Sequence, residues 1–412
     1  MTTLHIGLLG LGTVGRGVHT ILARALPTLT QLDFKLTRAA VRTLTPARQA
    51  EYSDLALTTD PWALVNDPDL DIIIEVMGGI DLPQRLLTRA LETGKHVITA
   101  NKDLIATHGV TLTALAQRHG VALAYEAAVM GGIPILQTLK TAYAGDTIDR
   151  LIGIANGTSN FILTQMASGA AYADALAQAQ ALGFAEADPT NDVEGLDAAY
   201  KLLILSRLAF GLDAPLEAIQ RQGLASLTQA DFAAARTFGY AIKPLITGTR
   251  RGQALRLTVS PTLVANTHPL SLVGAENNAV ILHSTDLPAL TLSGPGAGSL
   301  PTANAVVADL AQVATAIRQG YPYPLAAGRL TASTPLHLPA ARLIALTTTR
   351  SIDGQALIDQ LGLHGPLVAA PGGLHLLTEP LTDAALATHL AALRACAGIQ
   401  VRHALPVLLT DR

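Results

Sequence analysis

Six residues near the start of the chain constrain its fold more than any others. Gly10-Leu11-Gly12-Thr13-Val14-Gly15 directly follows the apolar run His5-Ile6-Gly7-Leu8-Leu9 and opens a helical pattern over residues 14–26, ahead of Pro27. A buried strand, a glycine turn and a helix in that order start a βαβ unit. Gly10 permits the tight turn, Gly12 lets the backbone approach a pyrophosphate, and Gly15 allows the helix to pack on the strand. The first turn, with Thr13 and Val14, then presents unpaired N–H groups to phosphate oxygens. The same glycines could serve a purely structural turn, but both flanks fit dinucleotide binding.

The pattern continues with apolar strands over residues 35–41, 71–76, 95–99 and 121–125, separated by helical segments. Strands alternating with helices of this length predict an α/β fold, a Rossmann-type doubly wound parallel sheet over residues 1–130. From residue 131 the alternation stops. A helix over 133–144, a strand over 151–155, the polar turn Asn156-Gly157-Thr158-Ser159-Asn160, a helix over 195–210 and strands over 255–260 and 278–283 predict an inserted α+β domain spanning 131–300. Residues 294–298 read as a loop and 302–319 as a long Ala/Val helix. After a Thr-, Pro- and Leu-rich linker over 331–339, residues 341–412 read as βαββαβ, the order of a ferredoxin-like module.

Composition excludes several classes of function. Lys plus Arg number 28 and Asp plus Glu 31, giving a net charge of −3, so no electrostatic footprint for nucleic acid or an anionic membrane is present. The single cysteine, Cys396, rules out a disulfide framework or a cysteine zinc cluster within one chain. The twelve His follow no HxxxH or HExxH spacing, so a transition-metal site is not expected. No apolar run approaches ~18 residues, and no transmembrane helix is expected. The N-terminus lacks a basic segment, so a signal peptide is not expected and a cytoplasmic location is. With the nucleotide-type strand at the start, no amino-terminal kinase is expected either.

Within this frame a few residues stand out for their chemistry. The second strand ends in Ala39-Ala40-Val41-Arg42, with Arg38 and Arg48 nearby, where an acidic residue would read a ribose 2′-hydroxyl. Arg42 suits a 2′-phosphate, which favours NADP(H) over NAD(H), although a solvated loop arginine or dual use fits the same residues. Only six of the 28 cationic residues are lysines, among them Lys102 and Lys201. Asp197 and Lys201 share a helix face at i,i+4 spacing, which is either a surface ion pair or a buried proton donor beside its carboxylate. The adjoining Leu202-Leu203-Ile204-Leu205 makes the helix largely buried. Lys102 follows the fourth strand, at the carboxyl edge where doubly wound sheets bind ligands. Gly131-Gly132 marks a sharp turn, equally suited to collecting carbonyls around a monovalent cation or to joining two domains.

Taken in order, these motifs resemble homoserine dehydrogenase. The matching segments are Gly10-Leu11-Gly12-Thr13-Val14-Gly15, Thr99-Ala100-Asn101-Lys102, Tyr125-Glu126-Ala127 through Gly131-Gly132-Ile133-Pro134, and Asn156-Gly157-Thr158-Ser159-Asn160. Further along come Gly183-Phe184-Ala185-Glu186-Ala187-Asp188-Pro189, Gly195-Leu196-Asp197-Ala198-Ala199-Tyr200-Lys201, and Gly294-Pro295-Gly296-Ala297-Gly298 ahead of Pro301-Thr302-Ala303. The resemblance covers residues 1–330 and implies reduction of L-aspartate 4-semialdehyde to L-homoserine with NAD(P)H, on the route to threonine, methionine and isoleucine. It implies that Lys201 is the proton donor with Asp197 beside it, that Glu186 holds the substrate amino group, and that Asn156 and Thr158 line the substrate site. Lys102 would contact both cofactor and substrate. Backbone carbonyls of Glu126, Val129, Gly131 and Ile133 would hold sodium. The domain over 131–300 would bind substrate and form a homodimer, itself able to pair into a dimer of dimers, and helix 302–319 would complete the nucleotide domain.

The tail resembles an ACT-type module. Its first loop, Thr349-Arg350-Ser351-Ile352-Asp353-Gly354, replaces the usual Asp-Arg-Pro-Gly, which puts threonine feedback in doubt. Every chemical motif precedes residue 330, so the tail reads as separable from catalysis. Two rivals compete with this reading. An acylating semialdehyde dehydrogenase needs a cysteine nucleophile, and Cys396 sits in the tail. A nucleotide- or amino-acid-sensing regulator that keeps the fold without catalysis would be expected to have lost Asp197, Lys201 or Glu186, and all three are present.

Overall fold

The computed structural model describes residues 3–24, 32–323, 330–349, 352–370 and 373–408. In the opening strand, β1 (Leu4–Leu9), Ile6, Leu8 and Leu9 have no exposed surface, as expected of a strand covered on both faces. It pairs in parallel with β2 (Phe34–Ala40) and β4 (Ile72–Glu75). Parallel pairing continues outward to β3 (Ala56–Thr58) on one side and to β5 (His96–Thr99) and β6 (Leu123–Ala124) on the other. The order β3-β2-β1-β4-β5-β6 is the doubly wound Rossmann order. Only β3 escapes the sequence reading; three half-exposed residues are too short to show a period. The first helix, Thr13–Leu22, ends before the expected residue 26, and Pro27 lies outside the described residues.

The described chain divides into two compact units. The first takes residues Met1–Thr147, Leu203–Leu212 and Gly294–Thr331, and the second Ile148–Leu202, Asp213–Ser293 and Ala332–Arg412. Residues 131–147, expected with the inserted domain, thus pack with the parallel sheet. The helix expected over 133–144 forms over a shorter span, as α-helix Ile135–Gln137 running straight into a five-residue π-helix, Thr138–Ala142. There the Lys140 ammonium lies over the rings of Tyr125 (4.9 Å) and Tyr323 (5.6 Å).

The long helix, Ser299–Gln319, also belongs to the first unit. Its Ala303, Val306, Leu310 and Val313 are buried in one core with Val18 and Ile21 of the first helix and with Ile72 and Ile74 of β4. At 21 residues it is long and apolar enough to cross a membrane, contrary to the expectation from unbroken apolar runs. Its apolar face is core here, and helix pairing depends on small residues. A side chain at Gly17 would collide with Ala303 Cβ, at 2.8 Å.

In the second unit, strands Asn277–Ser284, Ile148–Ile154, Tyr240–Arg251 and Ala254–Ala265 lie side by side and antiparallel. Sequence periodicity shows only part of this sheet. Tyr240–Arg251 is interrupted by Lys243, Pro244 and Gly248 and gives no clean alternation. Pro244 faces Pro261, beyond the stretch (Ile246 to Thr249) that pairs with Ile148–Ile154, so its missing N–H costs nothing on that side. Gly294 and Pro295, read as loop, instead close the strand Leu290–Pro295.

The tail folds as expected. Strands Arg342–Thr348, Leu367–Ala370, Gly373–Leu377 and Ile399–Pro406 alternate with helices Gly354–Gln360 and Asp383–Ala395 in the order βαββαβ. The sheet is antiparallel throughout. Separability is a different matter. Leu343 and Leu405 have no exposed surface, and with Val407 they share a core with Phe161, Met166 and Phe232 of the same unit. Removing the tail would open that core to water, so the tail is structurally part of the unit it follows.

Candidate active site

In the second unit the segment Asn156-Gly157-Thr158-Ser159-Asn160 is not a free turn. It starts the helix Gly157–Ala167, with Asn156 as N-cap accepting the Ser159 amide at 2.8 Å. A polar residue in this position contributes ~1 kcal/mol to the helix. Capping uses the Asn156 oxygen and leaves its amide group to donate, to Asp197 Oδ2 (2.8 Å) and Asp192 Oδ1 (2.7 Å). Asp197 Oδ2 also receives Lys201 Nζ at 2.7 Å, across one turn of the helix Leu196–Phe210. Lys201 Nζ donates a second time, to the Ala155 carbonyl at 2.7 Å. An ammonium has three N–H groups, so one is left for a further acceptor.

The i,i+4 pair is therefore not an ordinary surface ion pair. Both side chains are only 11% exposed, and the carboxylate is held by an asparagine that is itself buried. Screening that makes exposed pairs weak is largely absent here. Thr158 and Glu186 do not join the cluster. The Thr158 hydroxyl donates to the Phe184 carbonyl at 2.6 Å, which anchors the loop that carries Glu186. The Glu186 side chain is exposed, and among the described residues it makes no hydrogen bond to Lys201, Asp197 or Asn156. Asp192 was not singled out from sequence; it was one acid among several in that loop.

In the first unit the glycine loop has the shape its spacing predicts. Gly10 adopts φ +102, and a side chain at Gly15 would run into the Gly10 carbonyl. A Cβ at Gly12 would meet no protein atom within 4 Å, so the space in front of the first helix is open. That helix has no side-chain cap, which leaves its N-terminal amides available to an anion. Of the three arginines near the end of β2, Arg38 pairs with Asp67 and Asp69, and Arg48 donates to the Thr43 carbonyl. Arg42 is exposed and has no ion pair among the described residues.

One buried carboxylate organises the carboxyl edge of this sheet, and sequence reading assigned it nothing. Glu75 ends β4 with no exposed surface. Its Oε1 accepts the amides of Met77 (2.7 Å) and Gly78 (3.3 Å), and its Oε2 accepts the Thr99 hydroxyl at 2.6 Å. Thr99 Oγ1 in turn accepts the Asn101 amide, and Asn101 bridges the Gly79 carbonyl (2.7 Å) and the Leu104 amide (3.1 Å). That last bond caps the helix Lys102–His119, so the chain of contacts sets where Lys102 begins. Burial pushes the Glu75 carboxyl above its ordinary value, against the opposing pull of these hydrogen bonds. The available signal was an acid closing the otherwise apolar run Ile72-Ile73-Ile74, where solvent would normally be required.

The turn at Met130 (φ 56) and Gly131 (φ 51) places two successive residues in the left-handed region. A side chain at Gly131 would meet the Gly296 carbonyl at 2.6 Å. The Glu126 carbonyl accepts the Val129 amide and the Ile133 carbonyl accepts the Ile135 amide, each leaving one lone pair. The Glu126 carboxylate turns away to cap Leu136 and Gln137 (2.9 and 2.6 Å). Burial, with Asp309 nearby, raises it to about 7.

Residues 10–126 match the family model for the NAD-binding domain of homoserine dehydrogenase, and residues 134–311 match the model for homoserine dehydrogenase itself. The chain belongs to the homoserine dehydrogenase family. It is 43% identical to the homoserine dehydrogenase of Bacillus subtilis over 324 residues, 78% of this chain and 75% of that protein. It is 40% identical to that of Pseudomonas aeruginosa over 319 residues, 77% and 74% of the two chains. Among solved structures, a homoserine dehydrogenase from Thiobacillus denitrificans superposes with a TM-score of 0.90 at 36% identity, covering 99% of both chains. A hyperthermophilic archaeal homoserine dehydrogenase in complex with NADPH superposes at 0.66 with 25% identity, covering 78% of this chain and 99% of that one. As a homoserine dehydrogenase the protein is an NAD(P)-dependent oxidoreductase of amino-acid biosynthesis, and the reading as a non-catalytic regulator is not favoured.

Proposed function

We propose that Lys201 is the proton donor in the interconversion of L-aspartate 4-semialdehyde and L-homoserine. One observation carries this reading: an ammonium held at 2.7 Å by both Asp197 and the Ala155 carbonyl, with a third N–H to give. A bound reduced nicotinamide supplies the hydride. As the aldehyde carbon is reduced, negative charge grows on its oxygen, and Lys201 stabilises that charge and delivers the proton, leaving a neutral amine that solvent recharges. Asp197 orients the ammonium, while Asn156 fixes Asp197. Glu186, exposed on its loop, meets the substrate ammonium, and Thr158 anchors that loop. Lys102 contacts cofactor and substrate from the helix start that Asn101 caps. The assay that tests this assignment is homoserine-dependent reduction of NADP+ and NAD+ by the wild-type and Lys201→Ala proteins.

We propose further that Gly10, Gly12, Thr13, Val14 and Gly15 seat the pyrophosphate and that Arg42 selects NADP(H). The open space before Gly12 and the exposure of Arg42, with no ion pair among the described residues, support this. A sodium ion held by carbonyls of Glu126, Val129, Gly131 and Ile133 suits the hard oxygen donors of that turn. We also assign a homodimer built on the second domain, a cytoplasmic location, and an ACT-like tail with weak threonine inhibition or none. In that tail Asp353 caps the helix Gly354–Gln360 through the amides of Gln355 and Ala356, while Arg350 and Ser351 of the same loop lie outside the described residues.

A further inference from the structure

A cavity of about 290 Å³ in the second unit, separate from the Lys201 cluster, is lined by Arg150, Arg221, Arg251, Arg256 and Arg342 and, among the described residues, by no carboxylate. The arginines come from different elements. Arg150, Thr249 and Arg256 form one row across three neighbouring strands, Ile148–Ile154, Tyr240–Arg251 and Ala254–Ala265. Arg251 lies two residues on from Thr249, on the same face. Arg221 comes from the short strand Gln220–Arg221, parallel to Ala254–Ala265, and Arg342 opens the first strand of the tail. Thr247, Thr258 and Ser260 also line the space.

Among the described residues, one carboxylate serves two of these arginines. Arg256 and Arg342 share one carboxylate, Asp383, at 3.5 and 3.6 Å, and His337 draws on the same group at 3.2 Å. The Arg342 side chain is nine-tenths buried, and its Nε has no hydrogen-bond partner among the described residues. Burial and the neighbouring Arg256 both push the Arg342 guanidinium below its ordinary value. Two buried guanidiniums on one half-exposed carboxylate, with a donor left over, are costly unless a counter-ion completes them. A tetrahedral phosphate accepts donors from several directions at once, which matches guanidiniums arriving from the sheet, a side strand and the tail better than a planar carboxylate does.

We propose that this cavity binds a small phosphate-bearing polyanion, held between the antiparallel sheet and the tail module. Inorganic pyrophosphate is the probe, titrated calorimetrically into the full chain at constant ionic strength, with the coenzyme saturating so that the glycine loop is filled. The expected result is one pyrophosphate bound per chain, weakened about tenfold or more in the rim variant Arg221→Ala/Arg251→Ala, which removes two charged donors. Arg342→Gln is expected to weaken it similarly; should that buried variant fail to fold, the rim variant still decides. Heat no greater than for added chloride, or unchanged affinity in the rim variant, would overturn the proposal. Citrate binding as tightly as pyrophosphate would overturn the choice of phosphate.

Discussion

His375 Nε2 lies 2.8 Å from Asp231 Oδ1, although 144 residues separate the two in the chain. His375 belongs to the tail strand Gly373–Leu377 and Asp231 to the helix Gln229–Thr237. The Asp231 carboxylate is wholly buried and also receives Arg402, His403 and both the amide and hydroxyl of Thr228. Tail and helix are thus joined by one carboxylate with a full set of donors, beside the apolar contacts of Leu343 and Leu405.

This junction predicts a pH dependence of stability. Burial alone would raise the Asp231 carboxyl, but hydrogen bonds from His375, His403 and Arg402 outweigh it and hold the group well below the ordinary carboxylate range. A depressed folded value means the contribution is present above the unfolded value of ~3.9 and is lost as pH falls below it. Denaturant melts of Asp231→Asn between pH 5 and pH 2 should show lower stability at pH 5 and a shallower acid slope than wild type. The difference in slope should be at most about 1.4 kcal/mol per pH unit. Parallel slopes would show that Asp231 is not the titrating group.

Deleting residues 341–412 should cost the protein its second-unit core rather than leave catalysis intact. Loss of buried Leu343 and Leu405 alone corresponds to at least ~2 kcal/mol each. The truncated chain is expected to be aggregated or to melt at a much lower temperature, by light scattering and calorimetry. A soluble truncation with the wild-type Tm would contradict the shared core.

Lys201→Ala should lower kcat by roughly 10²- to 10⁴-fold, the range for loss of a general acid, with coenzyme affinity little changed. Glu186→Ala should act mainly on the KM for homoserine, because that contact exists in the ground state. Near-normal kcat in a folded Lys201→Ala protein would move the assignment to Lys102.

Arg42→Ala should raise the KM for NADPH more than for NADH. Equal changes for the two coenzymes would remove Arg42 from 2′-phosphate recognition.

Glu75→Ala leaves the wholly buried Thr99 hydroxyl without its acceptor, at ~1–3 kcal/mol for that group. Stability should fall, and the loops ending in Gly79 and Lys102 should lose their registry, raising the coenzyme KM. Glu75→Gln keeps one acceptor oxygen and should recover most of the stability. A coenzyme KM unchanged in both variants would make Glu75 purely structural.

The amino-acid sequence by itself determined the strand–glycine–helix start, the parallel alternation after it, the βαββαβ tail and the pairing of Asp197 with Lys201. Each of these rests on local periodicity or on spacing within one helix, which the chain carries without reference to partners. Tertiary structure alone decided what depends on distant residues. Asn156 is a cap whose spare amide holds Asp197 and Asp192, not a turn residue. Glu75 is satisfied by Thr99, which lies on a different strand. Tyr240–Arg251, with its proline and glycine, is a strand because neighbours on both sides pair with it. The tail is bound to its unit because His375, Arg402 and His403 converge on Asp231. Burial and long-range pairing are properties of the packed chain, and no local pattern encodes which buried acid meets which donor.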